Sequence, residues 1–447
     1  MVDPILARPR LVGQKYFRGE TGDTHIMLTK RTGYHRIIGA ATAALLASVA
    51  PSYAADLGGD CCADLEERIA ELEATTARKG NRKVSVQVSG QIHTGVLFFD
   101  DGDESNALVT DQDNTASRFR FIGSAKINPE WSAGFWLEVE VDVSASNLVT
   151  QFNDDVVGAG GALNLRQANW WIESKQLGRI TVGQGSPAND DIILADAAGA
   201  GPAAFADQLI GNALFFRQSN GVITNLQSNL VTGGSLDTAR RNLVRYDSPI
   251  FQGAKFVATW GEDDFWDVAV WYANKLGDFK IVGGIGYSQD TDGFAPSLRT
   301  EEFKGSISIL HEPSGLFGSF AFDRREPARV HEALDYYYFN GGLVLPKLLP
   351  VGKTVFYGEY ANGQGFGGQA AAVAGNAPVA ANGFTSGIVL DAELTIWGFG
   401  VVQHIPAAEM EIYALYKTLD LDARTTNQGV LDLDSIDIVY TGARIKF

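Results

Sequence analysis

"GFWLEVEVDVSA", residues 134–145, places an apolar residue at every second position: Phe135, Leu137, Val139, Val141 and Val143 alternate with Trp136, Glu138, Glu140 and Asp142. A period of two belongs to an extended chain, whose successive side chains point to opposite sides. Just upstream, in "SRFRFIGSAK" (117–126), Phe119 and Phe121 alternate with Arg118, Arg120 and Ile122. One face suits hydrocarbon and the other suits water. Strands of a soluble sandwich alternate too, so the connections between strands must decide.

The same pattern predicts strands at roughly 84–99, 115–127, 132–145, 162–175, 178–185, 241–249, 255–262, 266–275, 279–287, 300–311, 316–324, 333–345, 353–361, 388–403, 409–420 and 433–446, sixteen in all. Tight turns such as "NPEW" (128–131), "KLGD" (275–278), "HEPSG" (311–315) and "HIPAA" (404–408) interleave with longer polar loops such as "DDGDESNALVTDQDN" (100–114) and "NGQGFGGQAAAVAGNAPVAANGF" (362–384). Loops sorted in this way predict an all-β transmembrane barrel with an even strand number, both termini on the tight-turn, periplasmic side. "GEDD" (261–264) is a short connection on the long-loop side. Aromatic residues near strand ends, among them Trp131, Trp260, Trp266, Tyr272, Tyr336, Tyr337, Phe356 and Tyr413, suit girdles at the two membrane interfaces. Counting back by twos from Phe447 gives Ile445, Ala443, Thr441 and Val439, an apolar face on the last strand, with Ile438 and Tyr440 on the other. No internal run of eighteen apolar residues offers a helical span instead.

Residues 27–54 have a basic start (Lys30, Arg31, Arg36), an apolar core over about 37–49 and small residues at Ser52 and Ala54, a secretory signal; residues 1–26 lack this logic and suggest a mis-called start. The mature chain is then expected to begin at Ala55-Asp56 with 29 Lys/Arg against 50 Asp/Glu, a net charge of −21. That balance excludes nucleic acid as a partner. Two adjacent cysteines form no disulfide framework. Asp60 before them does not suit lipid attachment. In the leader, 55–80, Cys62, Leu65, Ile69, Leu72 and Thr76 are spaced as a heptad seam. The seam makes either a short coiled coil between chains or a single helix lying against its own barrel.

The segment "ADLGGDCCADLEERIAELEATTARKGNRKVSVQVSGQI", the barrel-like body (81–447) and the terminal "GARIKF" together resemble the outer-membrane porins of rhizobia and related alphaproteobacteria. The resemblance implies a homotrimeric sixteen-stranded channel for passive diffusion of small hydrophilic solutes, with one long loop folded into the pore. It also implies outer-membrane lipid and lipopolysaccharide as neighbours, and, through an Ala55-Asp56 start, attachment to peptidoglycan; the same segment also reads as an ordinary flexible tail. A substrate-dedicated porin and a structural tether to the wall are the rival functions.

Residues 186–240, opening "SPANDDIILADAAGAGPAAFADQLIGN", are the candidate pore loop. A connection this long in a compact protein carries function. Asp190, Asp191, Asp196 and Asp207 on this loop are expected to face Arg118, Arg120, Arg166, Arg241 and Arg245 on the wall, a charge-split constriction. The alternative is that the arginines pair with wall acids such as Glu138 and Glu140. No nucleophile, metalloprotease or nucleotide motif is present, so neither an enzyme nor a cofactor is expected. "DGDE" (101–104) and "DTDG" (290–293) lack the spacing of a calcium loop and read as solvated acids.

Overall fold

Sixteen strands meander up and down and close on themselves. In a computed structural model, which describes residues 83–158, 161–233, 235–262, 264–291, 300–327, 333–365 and 389–447, the wall begins with β1 Ser85–Asp100, β2 Arg118–Lys126, β3 Trp131–Val141, β4 Leu163–Ser174, β5 Gly178–Gly185, β6 Arg241–Asp247, β7 Ala254–Gly261 and β8 Phe265–Leu276. It continues through β9 Phe279–Asp290, β10 Thr300–His311, β11 Leu316–Pro327, β12 Leu334–Leu349, β13 Gly352–Gln364, β14 Val389–Ile405, β15 Met410–Thr425 and β16 Ile436–Lys446. Each of the sixteen expected spans overlaps one of these. β16 pairs with β1 over Gln91↔Lys446 to Asp100↔Asp437, which closes the described wall on itself without an edge strand. The signal segment, Ala55, Asp56 and the seam Cys62, Leu65, Ile69 and Leu72 lie outside the described residues.

Register fixes what faces inward, because directly opposed residues share a face. Gln91 lies opposite Arg118 on one side and Lys446 on the other, and Arg118 and Arg120 lie opposite Glu140 and Glu138. The other face carries exposed Phe135, Trp170, Tyr246, Phe256, Trp260, Ile285, Phe303, Tyr337, Phe339, Trp397, Phe399 and Ile445, an apolar band around the barrel. No helix among the described residues is long and apolar enough to cross a membrane.

Two expectations change here. Tyr336 and Tyr413 are not girdle residues: both are about 2% exposed and face the interior. Their register partners Asp323 and Gly442 sit on the inward face, one residue out of phase with Tyr337. The lumen also holds an apolar core, formed by insert residues such as Ile192, Ile210, Leu214 and Phe216 against inward-facing Leu394, Ile396, Leu415, Ile438 and Tyr440. Ile438 and Tyr440, off the lipid face by the count from Phe447, belong to this core.

Four short strands escaped the sequence pattern, among them Gly429–Val430, which pairs with the end of β15. Ser105–Asp111 folds back on the upper half of β1, and Phe215–Arg217 pairs with Ile223–Gln227 inside the insert. Asp101 is not a solvated acid: it is fully buried, and its carboxylate takes both Nε and Nη2 of Arg217 at 3.1 and 3.0 Å.

Candidate functional site

The insert 186–240 runs along the inner wall because the wall supplies partners for its backbone. At its root, Arg245 binds both oxygens of Asp247 (2.9 Å each) and donates from Nη1 to the carbonyls of Ser186 and Pro187 (3.0 Å each). The Asn189 amide donates to Asp267 at 2.8 Å, and the Trp271 indole to the Ala188 carbonyl at 3.2 Å. Close approach needs a bare wall: a Cβ on Gly286 would lie 1.9 Å from Asn189 Oδ1, and one on Gly284 2.9 Å from Ile192.

Farther on, Ser306 donates to the Ile192 carbonyl, Lys280 to Ala197 and Lys353 to Ala198, at 2.6, 3.0 and 2.7 Å. His404 Nε2 lies 2.7 Å from the Gly199 carbonyl, and Gln112 donates to Pro202 at 2.7 Å. Asp196 accepts the amides of Ala198, Gly199 and Gly201, which holds the turn between these anchors. Without such partners, enclosed backbone groups would cost as much as lost hydrogen bonds.

The returning half is held by charge. Asp207 accepts from the Ser235 hydroxyl and the Leu236 amide, and Lys304, fully buried, donates to the Leu236 carbonyl at 2.7 Å while pairing with Glu302 at 3.3 Å. Arg325 bridges Glu302 and Asp323 at 2.7 and 3.3 Å. Tyr336 donates to the Ala206 carbonyl, and Lys417 to Gln208.

Opposite the loop stands a basic strip. One carboxylate, Glu138, 2% exposed, meets Arg118 at 3.3 Å, Arg120 at 3.3 Å and Arg166 at 2.8 Å; Arg166 also reaches Glu140 at 2.9 Å. Arg166 gets there through a β-bulge: Glu138 pairs with Gln167 and Val139 with Leu165, so Arg166 is the extra residue. A bulge re-aims one side chain without shifting the rest of the strand. Both Arg166 and Gln167 thereby serve the inward face.

On the loop, Asp190, Asp191 and Asp237 each offer a carboxylate oxygen within 4.8 Å of the others, and Arg240 pairs with Asp190 at 3.1 Å. Asp191 keeps a face open to the lumen. Enclosure by the barrel pushes its pKa up, the charge of Asp190 adds to this, and Arg240, Arg166 and Arg118 pull it back. Asp237 is raised well above the carboxylate range, first by burial and then by Asp190 and Asp191. Burial also raises Asp207, against its bonds to Ser235 and Leu236.

Of the nine expected constriction residues, Arg118, Arg120 and Arg166 gather on Glu138, and Asp190 and Asp191 lie together on the insert, Asp191 within electrostatic reach of Arg118 and Arg166. The other four stand apart. Arg241 stacks 3.6 Å over the Phe265 ring and pairs with Asp290 at 3.1 Å near the long-loop rim; Arg245 holds the loop root, Asp196 caps a loop turn, and Asp207 is buried behind the loop. Missing from the expected set were Arg240 and Asp237, which precede the strand where alternation begins, and Arg444, which binds Glu411 at 3.1 Å. Arg444 was detectable, since the lipid face counted back from Phe447 leaves it pointing inward.

Solved structures of similar shape are the anion-selective porin from Comamonas acidovorans (TM-score 0.52, 16% identity, covering 82% of this chain and 100% of that one) and OprB of Pseudomonas putida at high pH (0.53, 13%, 86% and 97%). In-vitro folded OmpT of Vibrio cholerae is a third (0.50, 14%, 83% and 99%). At these identities the likeness establishes the barrel fold alone. No curated protein matches by sequence. The model of the Gram-negative porin family, however, matches residues 40–424, most of the chain, and with the closed sixteen-stranded barrel this places the protein in that family, the porins of the outer membrane.

Proposed function

We propose that this porin is a general diffusion channel whose constriction is split by charge, the guanidinium strip on β2 and β4 facing the acids of the insert. The observation that carries this is that the insert narrows the lumen without filling it: a cavity of about 790 Å³ remains beneath it, bordered by Asp191, Asp196, Lys255, Glu411, Arg444 and Lys446. Opposed charges in a narrow passage orient dipolar solutes and disfavour apolar ones. Liposomes containing the protein should swell in small neutral sugars, and planar bilayers should show ohmic steps that rise linearly with salt. Saturation would point to a substrate-dedicated porin, and impermeable liposomes to a structural tether.

The excess of acids over the whole chain favours cations weakly at the mouths, less so at high salt. We place both termini in the periplasm, on the tight-turn side. A homotrimer agrees with the trimer form of OmpT from Vibrio cholerae, a barrel of similar fold. The heptad seam from Cys62 to Leu72 would form a short coil beneath such a trimer, where tethering raises the local concentration. Oxidative crosslinking should then join Cys62 residues of neighbouring chains, and exchanging Leu65, Ile69 and Leu72 for Asp should abolish it; crosslinking indifferent to those changes rules out the coil. Attachment of Ala55 to peptidoglycan predicts a wall fragment on the N-terminal peptide of muramidase-treated sacculi, and an entirely free Ala55 amine excludes it. Lipopolysaccharide surrounds the long-loop rim in this arrangement.

A further inference from the structure

Two ammonium groups grip the insert at successive residues. Lys280, second residue of β9, donates to the Ala197 carbonyl at 3.0 Å, and Lys353, second residue of β13, donates to that of Ala198 at 2.7 Å. Both strands begin at tight turns, so the pair stands at the tight-turn mouth of the lumen. An ammonium has three donors, and each lysine spends one on the insert. Lys280 is exposed and Lys353 half-buried.

Neither charge is neutralised. Asp196, Glu411 and Lys280 itself are the charges that act on Lys353, and both acids are committed elsewhere: Asp196 accepts the amides of Ala198, Gly199 and Gly201, and Glu411 holds Arg444 and Lys446. Among the described residues neither lysine has a carboxylate within ion-pair distance. Beside them Gly199 leaves a niche: a Cβ there would fall 2.6 Å from Lys353 Nζ and 3.0 Å from His404 Nε2. Gly199 and His404 both border the cavity beneath the insert, which opens the niche to solutes. Two positive charges held side by side repel unless an anion joins them. In a chain with 36 Lys/Arg against 53 Asp/Glu, this local surplus comes from position and not from composition.

We propose that this niche binds a phosphate group, as the free ion or as a small monoester, on Lys280 and Lys353. A tetrahedral oxyanion presents several acceptors to the spare N–H donors, and lysine binds phosphate as a point charge. Chloride, with one charge and no array of oxygens, is a weaker occupant. Because the same two lysines anchor the insert, a bound phosphate ties β9 and β13 to the turn at Ala197 and Ala198 and stabilises the docked loop. The site goes beyond the channel reading and holds whichever solutes permeate.

The test is calorimetric titration of the full-length protein in detergent with inorganic phosphate, potassium chloride holding the ionic strength constant. Binding should be saturable, and phosphate should raise the temperature at which the heat-resistant folded form converts on detergent gels. Lys280→Gln and Lys353→Gln should each weaken phosphate binding several-fold and remove the phosphate-dependent rise; Lys280→Gln, at an exposed position, carries the test if Lys353→Gln does not fold. A parallel titration with glycerol 3-phosphate separates the two sources: binding as tight as that of phosphate assigns the site to monoesters as well, and no binding assigns it to the free ion. The proposal is overturned if the native protein binds neither ligand saturably, or if both substitutions leave the binding intact. Neither result touches the channel reading, which liposome swelling tests separately.

Discussion

Glu138→Gln moves the reversal potential of the channel in a potassium chloride gradient toward anions. Glu138 is the one carboxylate in contact with Arg118, Arg120 and Arg166, so its loss leaves Glu140 alone to offset three guanidinium groups. At a wall open to water, uncovering one charge a few ångströms from the ion path changes its energy by about 1 kcal/mol, roughly fivefold in the permeability ratio. Exchanging Arg118, Arg120 and Arg166 for Gln shifts it the other way. Replacing Asp190, Asp191 and Asp237 with Asn again shifts it toward anions, whereas Asp207→Asn does not, because Asp207 spends its charge on Ser235 and Leu236 behind the loop. A reversal potential that ignores all these changes in low salt, with folded barrels, would show that the loop and strip do not line the passage.

Lys304→Met acts on stability. Its ammonium is fully buried between Glu302 and the Leu236 carbonyl, with Asp323 opposite on β11. Removing one partner from a buried ion network leaves uncompensated charge and costs roughly 3–5 kcal/mol. The heat-resistant folded form on detergent gels should therefore convert at lower temperature, and single channels should become noisier as the loop loses an anchor. Adding Glu302→Leu should recover part of the loss, because two matched apolar groups cost less than one orphaned charge. An unchanged transition temperature in Lys304→Met would mean that the insert is held by its apolar core alone.

The barrel was readable because lipid imposes a strict period of two on the outer face, and β3 shows it without a break. Inside, no single solvent dictates the pattern. Tyr336, Tyr413, Ile438 and Tyr440 point inward because they pack on the insert, and a contact with a distant segment leaves no mark on local alternation. Arg166 shares the inward face with its neighbour Gln167 only because a bulge resets the phase within β4, which strict alternation does not show. Asp101 looked solvated in an acidic turn; its partner Arg217 lies more than a hundred residues away. Loop acids were identifiable as a set, but which of them point at the passage depends on how the insert docks.

The partners of that insert have a consequence for assembly. Gly199 is bound by His404, 205 residues later, and Gln208 by Lys417, 209 residues later. Contacts so distant in sequence are slow to form. The chain cannot complete its constriction until β14 and β15 have joined the sheet, nearly at the end of barrel construction. A nascent barrel must therefore pass through a stage in which its bore is wider and leakier than in the finished channel, and the closing seam between β16 and β1 bounds how long that breach stays open.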